Sequence, residues 1–340
     1  MPRILFVKTS SLGDVIHNCP AASDIARCVP GALIDWVVEE AFAGIAALHR
    51  AVRRVIPVAI RRWRRAPLAA ATWSEVGRFR ELLRGERYDY VIDSQGLLKS
   101  ALLAALARGP KHGFDGGSVR EPLAARFYGE CHAVPRVLHA VERNRRLAAA
   151  ALGYPLSGAC DYGLRGAREL SVDVRAPALS AESPRASAPA VSTAASSYAL
   201  LLTMTSREDK LWPEASWRAL GSALEAQGVQ CLLPWGTDAE KRRCERVAAT
   251  LRGALVPRRM TLVELARLAS EARCVIGVDT GLTHLAAALG VPAVGLYRGS
   301  DPALTGLCAG AAQVRNLGGS GVTPAADDAL AALRTLGALP

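Results

Sequence analysis

The chain has 340 residues, half of them hydrophobic, so it is long enough for two domains with sizeable cores and too long for one ordinary domain. Its formal net charge is +11, yet only five of its 42 basic residues are lysine, which indicates a general bias toward arginine. The clustering of charge is more informative than its total, because six arginines lie between positions 53 and 65. This cluster predicts an anionic partner: a phosphorylated substrate, an anionic membrane face or a nucleic acid.

The eight cysteines are scattered and show neither a CxxC pair nor the Cys/His spacing of a metal site. This usage is typical of small packing residues in a reducing compartment. The N-terminal region lacks the apolar core of a signal peptide, and no apolar run approaches the roughly 20 residues of a membrane span. We therefore expect a cytoplasmic protein that is able to contact a membrane surface.

Short β-rich runs alternate with helical stretches through the first half of the chain. The runs cover residues 3–8, 32–40 and 88–96, and helices are expected after each of them, with starts after Asp14 and at Leu97 for the first and third. This alternation is typical of a parallel sheet that is covered by helices.

The alternation stops near residue 172 and restarts near residue 198, which predicts two domains, 1–172 and 198–340. Residues 173–197 are rich in Ala, Ser and Pro and are interpreted as a linker. In the second domain the β-rich runs are SYALLLTM, VQCLLPW, RCVIGV and PAVGLY, and helices are expected after Pro213, from Asp238, from Leu262 and after Thr280. The last helix of the chain is expected to pack back on the first domain.

The first predicted strand leads into Lys8-Thr9-Ser10-Ser11-Leu12-Gly13-Asp14. Small hydroxyl residues and a glycine after a strand let backbone N–H groups approach an anion, although the spacing fits neither a Walker A motif nor GxGxxG. Asp14 has two interpretations. It caps the helix that follows, or it lies at a strand end facing a cleft and removes a proton from a hydroxyl.

In the second domain, the loop Thr205–Pro213 (TSREDKLWP) follows its own predicted strand. Two hydroxyls and Lys210 in one loop suit a diphosphate, with the lysine neutralising charge on a leaving group. The alternative is a solvated loop in which the basic and acidic residues at 207–210 pair with one another.

The stretch Val278–His284 lies between a predicted strand and a predicted helix. Backbone N–H groups at the helix start, together with the helix dipole, form a phosphate site. The alternative is that Asp279 or Thr280 only caps the helix. His284 lies in the first helical turn and faces the same loop, where a packed polar role is more usual for a lone histidine than ligand binding.

The combination of motifs resembles family 9 glycosyltransferases, the ADP-heptose:lipopolysaccharide heptosyltransferases, from residue 2 to about 310 apart from the linker. KTSSLGDVIH, DWVVEE, IPVAIRRWRR, KHGFD, REPLA and HAVER are similar to the branch that adds the first heptose, and TSREDKLWP, LPWG and VDTGLTHL match the donor-side motifs. The resemblance implies an α/β fold of GT-B type: two Rossmann-like domains face a central cleft, the first binding the acceptor and the second the donor.

The resemblance also implies roles for individual residues. Asp14 falls at the position of the general base, and Lys210 at the donor diphosphate. The donor-binding positions are Thr205, Ser206, Lys210, Glu240 (ribose), Met260 (adenine), Asp279, Thr280, Gly281 and His284. The acceptor-binding positions are Ser10, Ser11, Gly13, Arg61, Arg62, Arg64 and Arg120. One departure is Tyr297–Pro302 (YRGSDP), which replaces a glycine-proline-threonine run.

The reaction implied by the resemblance is an inverting, metal-independent transfer of heptose from ADP-L-glycero-D-manno-heptose to a 3-deoxy-D-manno-octulosonic acid (Kdo) residue of Kdo₂-lipid A. No cofactor or metal is expected, and the sequence has no Asp-x-Asp pair at a strand end to hold Mg²⁺. The expected partners are ADP-heptose, Kdo₂-lipid A and, peripherally, the cytoplasmic face of the inner membrane. The protein is expected to be a monomer.

Two alternatives stay open at this point. A second-heptose enzyme or a paralogue would keep the chemistry and change the acceptor. A basic nucleic-acid-binding protein, suggested by the pI of 9.6 and the arginine cluster, is more remote, because no helix-turn-helix, aromatic RNP pattern or zinc spacing accompanies the charge. We therefore expect no nucleic acid among the partners.

Overall fold

The computed structural model describes residues 1–164, 197–308, 310 and 313–340. The chain divides into two compact units, with the division after Leu164. Except for Ser197, the predicted linker over 173–197 lies outside the described residues, as do residues 165–172 of the predicted first domain. Each unit is an α/β structure, as the alternation predicts.

The first unit is built on six parallel strands in the order β3-β2-β1-β4-β5-β6. Its central strand is fully buried from Ile4 to Val7, since helices cover both faces of a parallel sheet. The strands are β1 Arg3–Val7, β2 Leu33–Glu39, β3 Val52–Val58, β4 Tyr90–Asp93, β5 Lys111–Phe114 and β6 Glu130–His132.

The first helix begins earlier than the sequence predicts. It starts at Leu12 rather than after Asp14, because Asp14 occupies the third helical position and accepts a hydrogen bond from the backbone N–H of Ser11, the N-cap residue. The helix continues through Pro20. The helices of this unit are α1 Leu12–Cys28, α2 Ala43–Ala46, α3 Ile60–Trp63, α4 Ala70–Arg84, α5 Leu98–Leu106 and α6 Ala140–Leu152, with short 3₁₀ turns at Glu40–Phe42 and Pro122–Phe127.

The second unit holds five parallel strands in the order β11-β10-β9-β7-β8. The predicted helix starts are confirmed here, and two of them carry a capping threonine, Thr237 and Thr261, with a glutamate three residues later. The strands are β7 Tyr198–Leu202, β8 Gln230–Leu232, β9 Cys274–Val278, β10 Ala293–Tyr297 and β11 Val314–Gly318. The helices are α7 Glu214–Ala226, α8 Asp238–Ala248, α9 Leu262–Ser270, α10 Gly281–Ala288, α11 Pro302–Thr305 and α12 Ala326–Thr335, with a 3₁₀ turn at Glu208–Lys210.

The C-terminal helix α12 belongs to the core of the second unit, and its expected packing on the first domain stays a prediction. Leu330 and Leu333 are buried beside Trp212 and Leu220, and the helix packs on α7 and β10. These apolar side chains on one helical face determine where the helix packs. Among the described residues, no helix has both the length and the apolar character needed to cross a bilayer.

Candidate active site

Asp14 lies at the carboxyl edge of the first sheet, just beyond β1. Its Oδ1 accepts a hydrogen bond from Arg120 Nη2 at 2.8 Å, and its Oδ2 accepts one from the backbone N–H of Ser11 at 2.8 Å. Burial by itself would raise the pKa of Asp14, but the positive charges of Lys8 and Arg120, with the Ser11 hydrogen bond, outweigh it and lower the pKa to about 2. Asp14 therefore caps the start of α1 and is paired with Arg120, and its low pKa favours the ionised form at neutral pH.

Lys8 also lies at this site, although the sequence predicts no role for it. The side chain is buried at the end of β1, and its Nζ donates to the carbonyl of Ser94 at 2.7 Å and to Asn144 Oδ1 at 3.4 Å. Burial lowers the pKa of Lys8 to about 8, although the charge of Asp14 opposes that shift. The feature of the sequence that could have identified Lys8 is its position at a strand end in a chain where lysine is rare.

The loop after β1 differs from the expected anion cradle. The backbone N–H groups of Thr9 and Ser10 donate to Gln95 Oε1 at 3.1 and 3.2 Å, and that of Ser11 donates to Asp14. These three amide donors are satisfied within the unit and are not available to an anion. The Ser10 hydroxyl accepts from Lys99 Nζ at 3.2 Å. Gly13 lies in the first turn of α1.

The arginine cluster separates into paired and unpaired members. Arg53 and Arg54 both bind the buried carboxylate of Asp35, at 2.7 and 2.9 Å. Arg62 binds Glu40 and Glu75, at 3.0 and 2.7 Å. Three of the six arginines in the cluster are thus paired with carboxylates. Arg62 would have to exchange Glu40 or Glu75 for an acceptor group in order to bind one, and its acceptor role stays a prediction.

Arg61, Arg64 and Arg65 are exposed, and the first two are predicted to contact an acceptor. The backbone N–H of Arg61 donates to Glu39 Oε1 at 2.9 Å, and its guanidinium lies 5.3 Å from the centre of the Phe42 ring. Within the described residues, neither Arg61 nor Arg64 forms an ion pair with a carboxylate. Trp63 packs against Phe79 in the core of the unit, and its indole N–H is bonded to Glu75.

In the second unit, Asp279 follows β9 and gathers the predicted donor-side residues. Its Oδ2 accepts from Lys210 Nζ at 2.6 Å and from Ser300 Oγ at 2.5 Å, and its Oδ1 lies 3.5 Å from His284 Nε2. These partners hold the pKa of the Asp279 carboxyl far below its usual range, against the opposing effect of burial. Asp279 thus binds Lys210 and does not cap α10.

The loop Thr205–Lys210 is held beside α10. Thr205 Oγ1 donates to the Asp279 carbonyl at 3.0 Å, whereas Ser206 is exposed. Arg207 pairs with Asp209, so the solvated-loop interpretation is right for that pair and wrong for Lys210, which reaches across to Asp279.

Helix α10 begins close to the donor-side residues and supplies a positive end to its dipole. Thr280 is the N-cap residue, and no hydrogen bond from a side chain caps the helix. Thr283 Oγ1 donates to the carbonyl of Val278, and a Cβ at Gly277 would lie 2.1 Å from this hydroxyl, so the helix start requires glycine there. The first turn, including Gly281, is therefore placed to meet an anion.

Two predicted nucleoside contacts have structural partners of their own. Glu240 Oε2 accepts from the backbone N–H groups of Gly236 and Thr237, at 2.7 and 3.0 Å, and so begins α8. Met260 is partly buried and packs against the apolar cluster of β7 and β9. Their contact with ribose and adenine stays a prediction.

The loop after β10, where YRGSDP replaces the usual glycine-proline-threonine run, contributes Ser300, for which the sequence predicts no role. The Arg298 guanidinium bonds to the carbonyl of Leu211 and to Thr323 Oγ1, tying this loop to the Lys210 loop. At Gly299 a Cβ would collide with the carboxylate of Asp209. Position at a strand end is the one signal that could have identified Ser300.

Comparison with known proteins identifies the family to which the chain belongs. The model of glycosyltransferase family 9 (heptosyltransferase) matches residues 76–325. Lipopolysaccharide heptosyltransferase 1 of Escherichia coli K12 is 45% identical over 307 residues, which cover 89% of this chain and 90% of the relative. The protein of the same name from Pseudomonas aeruginosa PAO1 is 46% identical over 306 residues, which cover 89% of this chain and 81% of the relative.

The solved structures extend the likeness to the whole described fold. The structure of E. coli heptosyltransferase WaaC with ADP superposes with a TM-score of 0.85 at 41% identity and covers 98% of this chain and 99% of that one. E. coli ADP-heptose lipopolysaccharide heptosyltransferase II, at 20% identity and a TM-score of 0.71, shows the shared fold. The predicted GT-B fold and the first-heptose resemblance are confirmed, and the chain belongs to glycosyltransferase family 9 as a heptosyltransferase of lipopolysaccharide biosynthesis.

Proposed function

We propose that the protein transfers heptose from ADP-L-glycero-D-manno-heptose to Kdo of Kdo₂-lipid A, with inversion and without a metal. One observation carries the proposal: each sheet presents a charged pair where its strands end. Asp14 is paired with Arg120 in the first unit, and Lys210 is paired with Asp279 beside the uncapped start of α10 in the second. Relatives in support are named heptosyltransferase 1, and one similar structure holds ADP-2-deoxy-2-fluoro heptose.

Asp14 is assigned as the general base. The C5 hydroxyl of Kdo attacks the anomeric carbon of the donor, its proton passes to Asp14, and the bond to ADP breaks with the electron pair staying on the β-phosphate oxygen. With a pKa of about 2 in the free protein, Asp14 is a weak base. An acceptor carboxylate that recruits Arg120 would remove one of the charges that lower this pKa, so acceptor binding would strengthen the base.

Lys210 and the start of α10 are assigned to the departing diphosphate. Negative charge grows on ADP as the bond breaks, and a lysine next to a helix N-terminus stabilises such charge. Lys210 is at present bound to Asp279, 2.6 Å away. The diphosphate would share this lysine, while Ser300 continues to hold the Asp279 carboxylate.

The acceptor is an amphiphile whose sugars carry carboxylates and whose lipid carries phosphates. Guanidinium groups match both kinds of oxygen pair, which suits the unpaired Arg61 and Arg64. Because such an acceptor lies in a bilayer, we further propose that the protein acts peripherally on the cytoplasmic face of the inner membrane. We also propose that it is a monomer.

The proposal is tested by incubating the protein with ADP-heptose and a water-soluble Kdo acceptor truncated at the lipid. Mass spectrometry should show one added heptose, and NMR should show the anomeric configuration inverted relative to the donor. The rate should be unchanged after EDTA treatment. Transfer only to an acceptor that already carries heptose would identify a second-heptose enzyme, and a rate that returns only with added Mg²⁺ would contradict metal independence.

Replacing both Arg61 and Arg64 by alanine is expected to raise the acceptor KM several-fold or more and to leave the donor KM nearly unchanged. The difference in acceptor KM between the variant and the wild type should become smaller at high salt, because screening weakens exposed charge pairs. Steady-state kinetics with each substrate varied in turn provides the measurement. R80A/R84A removes the same charge from exposed positions on α4 and should leave both KM values alone. An unchanged acceptor KM in R61A/R64A would mean that these arginines are only solvated charges.

A further inference from the structure

Residues 64–73 form an exposed apolar surface next to two arginines. Leu68 is 92% exposed and Trp73 is 65% exposed. Every residue from 64 to 71 is exposed, and the sequence RRAPLAAA places two charges before a run of small or apolar side chains. A tryptophan and a leucine left in water within six positions of each other mark an interaction surface more often than an isolated exposed leucine does.

The loop that presents this surface is held by its own hydrogen bonds. Thr72 Oγ1 donates to the carbonyl of Ala66 at 2.8 Å, and the backbone N–H of Ala69 donates to the same carbonyl at 3.2 Å. The fold therefore holds Leu68 outward on a formed turn.

The 64–73 surface lies at the sheet edge that also carries Asp14. All six strands run parallel, so α3 follows the carboxyl end of β3, and α4 leads back to the amino end of β4. The first turn of α4, which carries Trp73, is consequently near the carboxyl edge. Leu82, which is 53% exposed, lies toward the opposite end of the same helix.

The charge around this surface is positive and uncompensated. Arg64 and Arg65 are exposed, and no carboxylate of the described residues pairs with either. The first turn of α4 contains no acidic residue, and its N-cap, Ala69, offers no side-chain hydrogen bond, so the helix dipole adds to the positive potential. Basic residues next to exposed tryptophan and leucine complement an anionic bilayer, where tryptophan prefers the headgroup level.

We propose that the 64–73 surface docks the protein on an anionic lipid bilayer. Leu68 and Trp73 enter the headgroup region, and Arg65 contacts lipid phosphates. This inference rests on the peripheral membrane contact proposed above and names the surface that makes it. Docking there brings the edge of the sheet that carries Asp14 and Arg120 toward the membrane in which an amphiphilic acceptor resides.

Cosedimentation of the full chain with vesicles tests the proposal, using phosphatidylcholine alone and a 7:3 mixture with phosphatidylglycerol, both without acceptor. The wild-type protein should pellet with the anionic vesicles and much less with the neutral ones. L68S/W73S should lower the partition coefficient by about tenfold or more, since two apolar side chains no longer enter the interface. The matched control L82S removes an exposed leucine nine residues further along α4, on the opposite helical face, and should stay within about twofold of wild type.

A spectroscopic readout locates the contact even if L68S/W73S folds poorly. Brominated lipids quench tryptophans that reach the bilayer, and Trp36, Trp212 and Trp217 are fully buried. W73F should lose most of the lipid-dependent quenching while it still binds vesicles. Unchanged quenching in W73F, equal binding of L68S/W73S and wild type, or an equal loss in L82S would overturn the proposal.

The reaction and the docking surface can fail separately. L68S/W73S should retain wild-type transfer to the water-soluble acceptor, because neither residue is assigned to the substrates. If the wild-type protein transfers heptose to that acceptor and does not bind anionic vesicles, the docking surface and the peripheral membrane contact are refuted, and the proposed transfer reaction stands. If it binds vesicles and transfers nothing, only the proposed function is refuted.

Discussion

Asp14→Asn is expected to lower kcat by a factor on the order of 10²–10⁴, the usual contribution of a positioned base. Asparagine has nearly the same shape and still accepts the hydrogen bond from the Ser11 N–H that begins α1, so the unit should fold. Binding of ADP, measured by calorimetry, should be unchanged because the proposed donor contacts lie in the second unit. The rate is measured with saturating donor and soluble acceptor.

The matched control is Asp161→Asn, which neutralises a 62% exposed carboxylate paired with Arg50 in the same unit. Exposed pairs of this kind contribute little to stability, and this one is assigned no substrate, so kcat should not change. If Asp14→Asn keeps more than about a tenth of the wild-type kcat, Asp14 is not the general base. Loss of ADP binding together with activity would instead show that Asp14 only maintains the structure.

Lys210→Ala is the second substitution with a large expected effect. Binding of ADP and ADP-heptose should weaken by roughly 1.5–3 kcal/mol, the range for hydrogen bonds to charged groups, or about 10- to 150-fold in Kd. The structure gives a second reason: without Lys210, the diphosphate would meet the Asp279 carboxylate, 2.6 Å from the lost ammonium, with less positive charge between them. The rate constant kcat should also fall, since the leaving group gains charge in the transition state.

Isothermal calorimetry with ADP measures this loss, and single-turnover rates separate it from slower chemistry. Arg267→Ala removes an exposed cation of α9, which is paired with Glu271 at the C-cap of that helix, and should leave the Kd unchanged. Lys210→Arg keeps the charge and should recover part of the affinity. An ADP affinity in Lys210→Ala equal to that of wild type would place this lysine outside the donor site.

The order of strands and helices could be read from the sequence because it depends on local composition. Continuous apolar runs such as Ile4–Val7 become buried parallel strands, and Thr237 and Thr261 with their following glutamates mark helix starts. In a parallel sheet the residues after each strand share one edge, which is why Asp14 and Asp279 could be selected as candidates before their surroundings were known.

The partners of those candidates were decided only by tertiary structure, because they come from distant parts of the chain. Asp14 meets Arg120 across 106 positions, and Lys210 meets Asp279 across 69. The same applies to Gln95, whose Oε1 accepts hydrogen bonds from the Thr9 and Ser10 N–H groups that the sequence predicts to bind an anion. The arginine cluster is visible in the sequence, but only three-dimensional packing determines which of its members pair with carboxylates, as Arg53, Arg54 and Arg62 do.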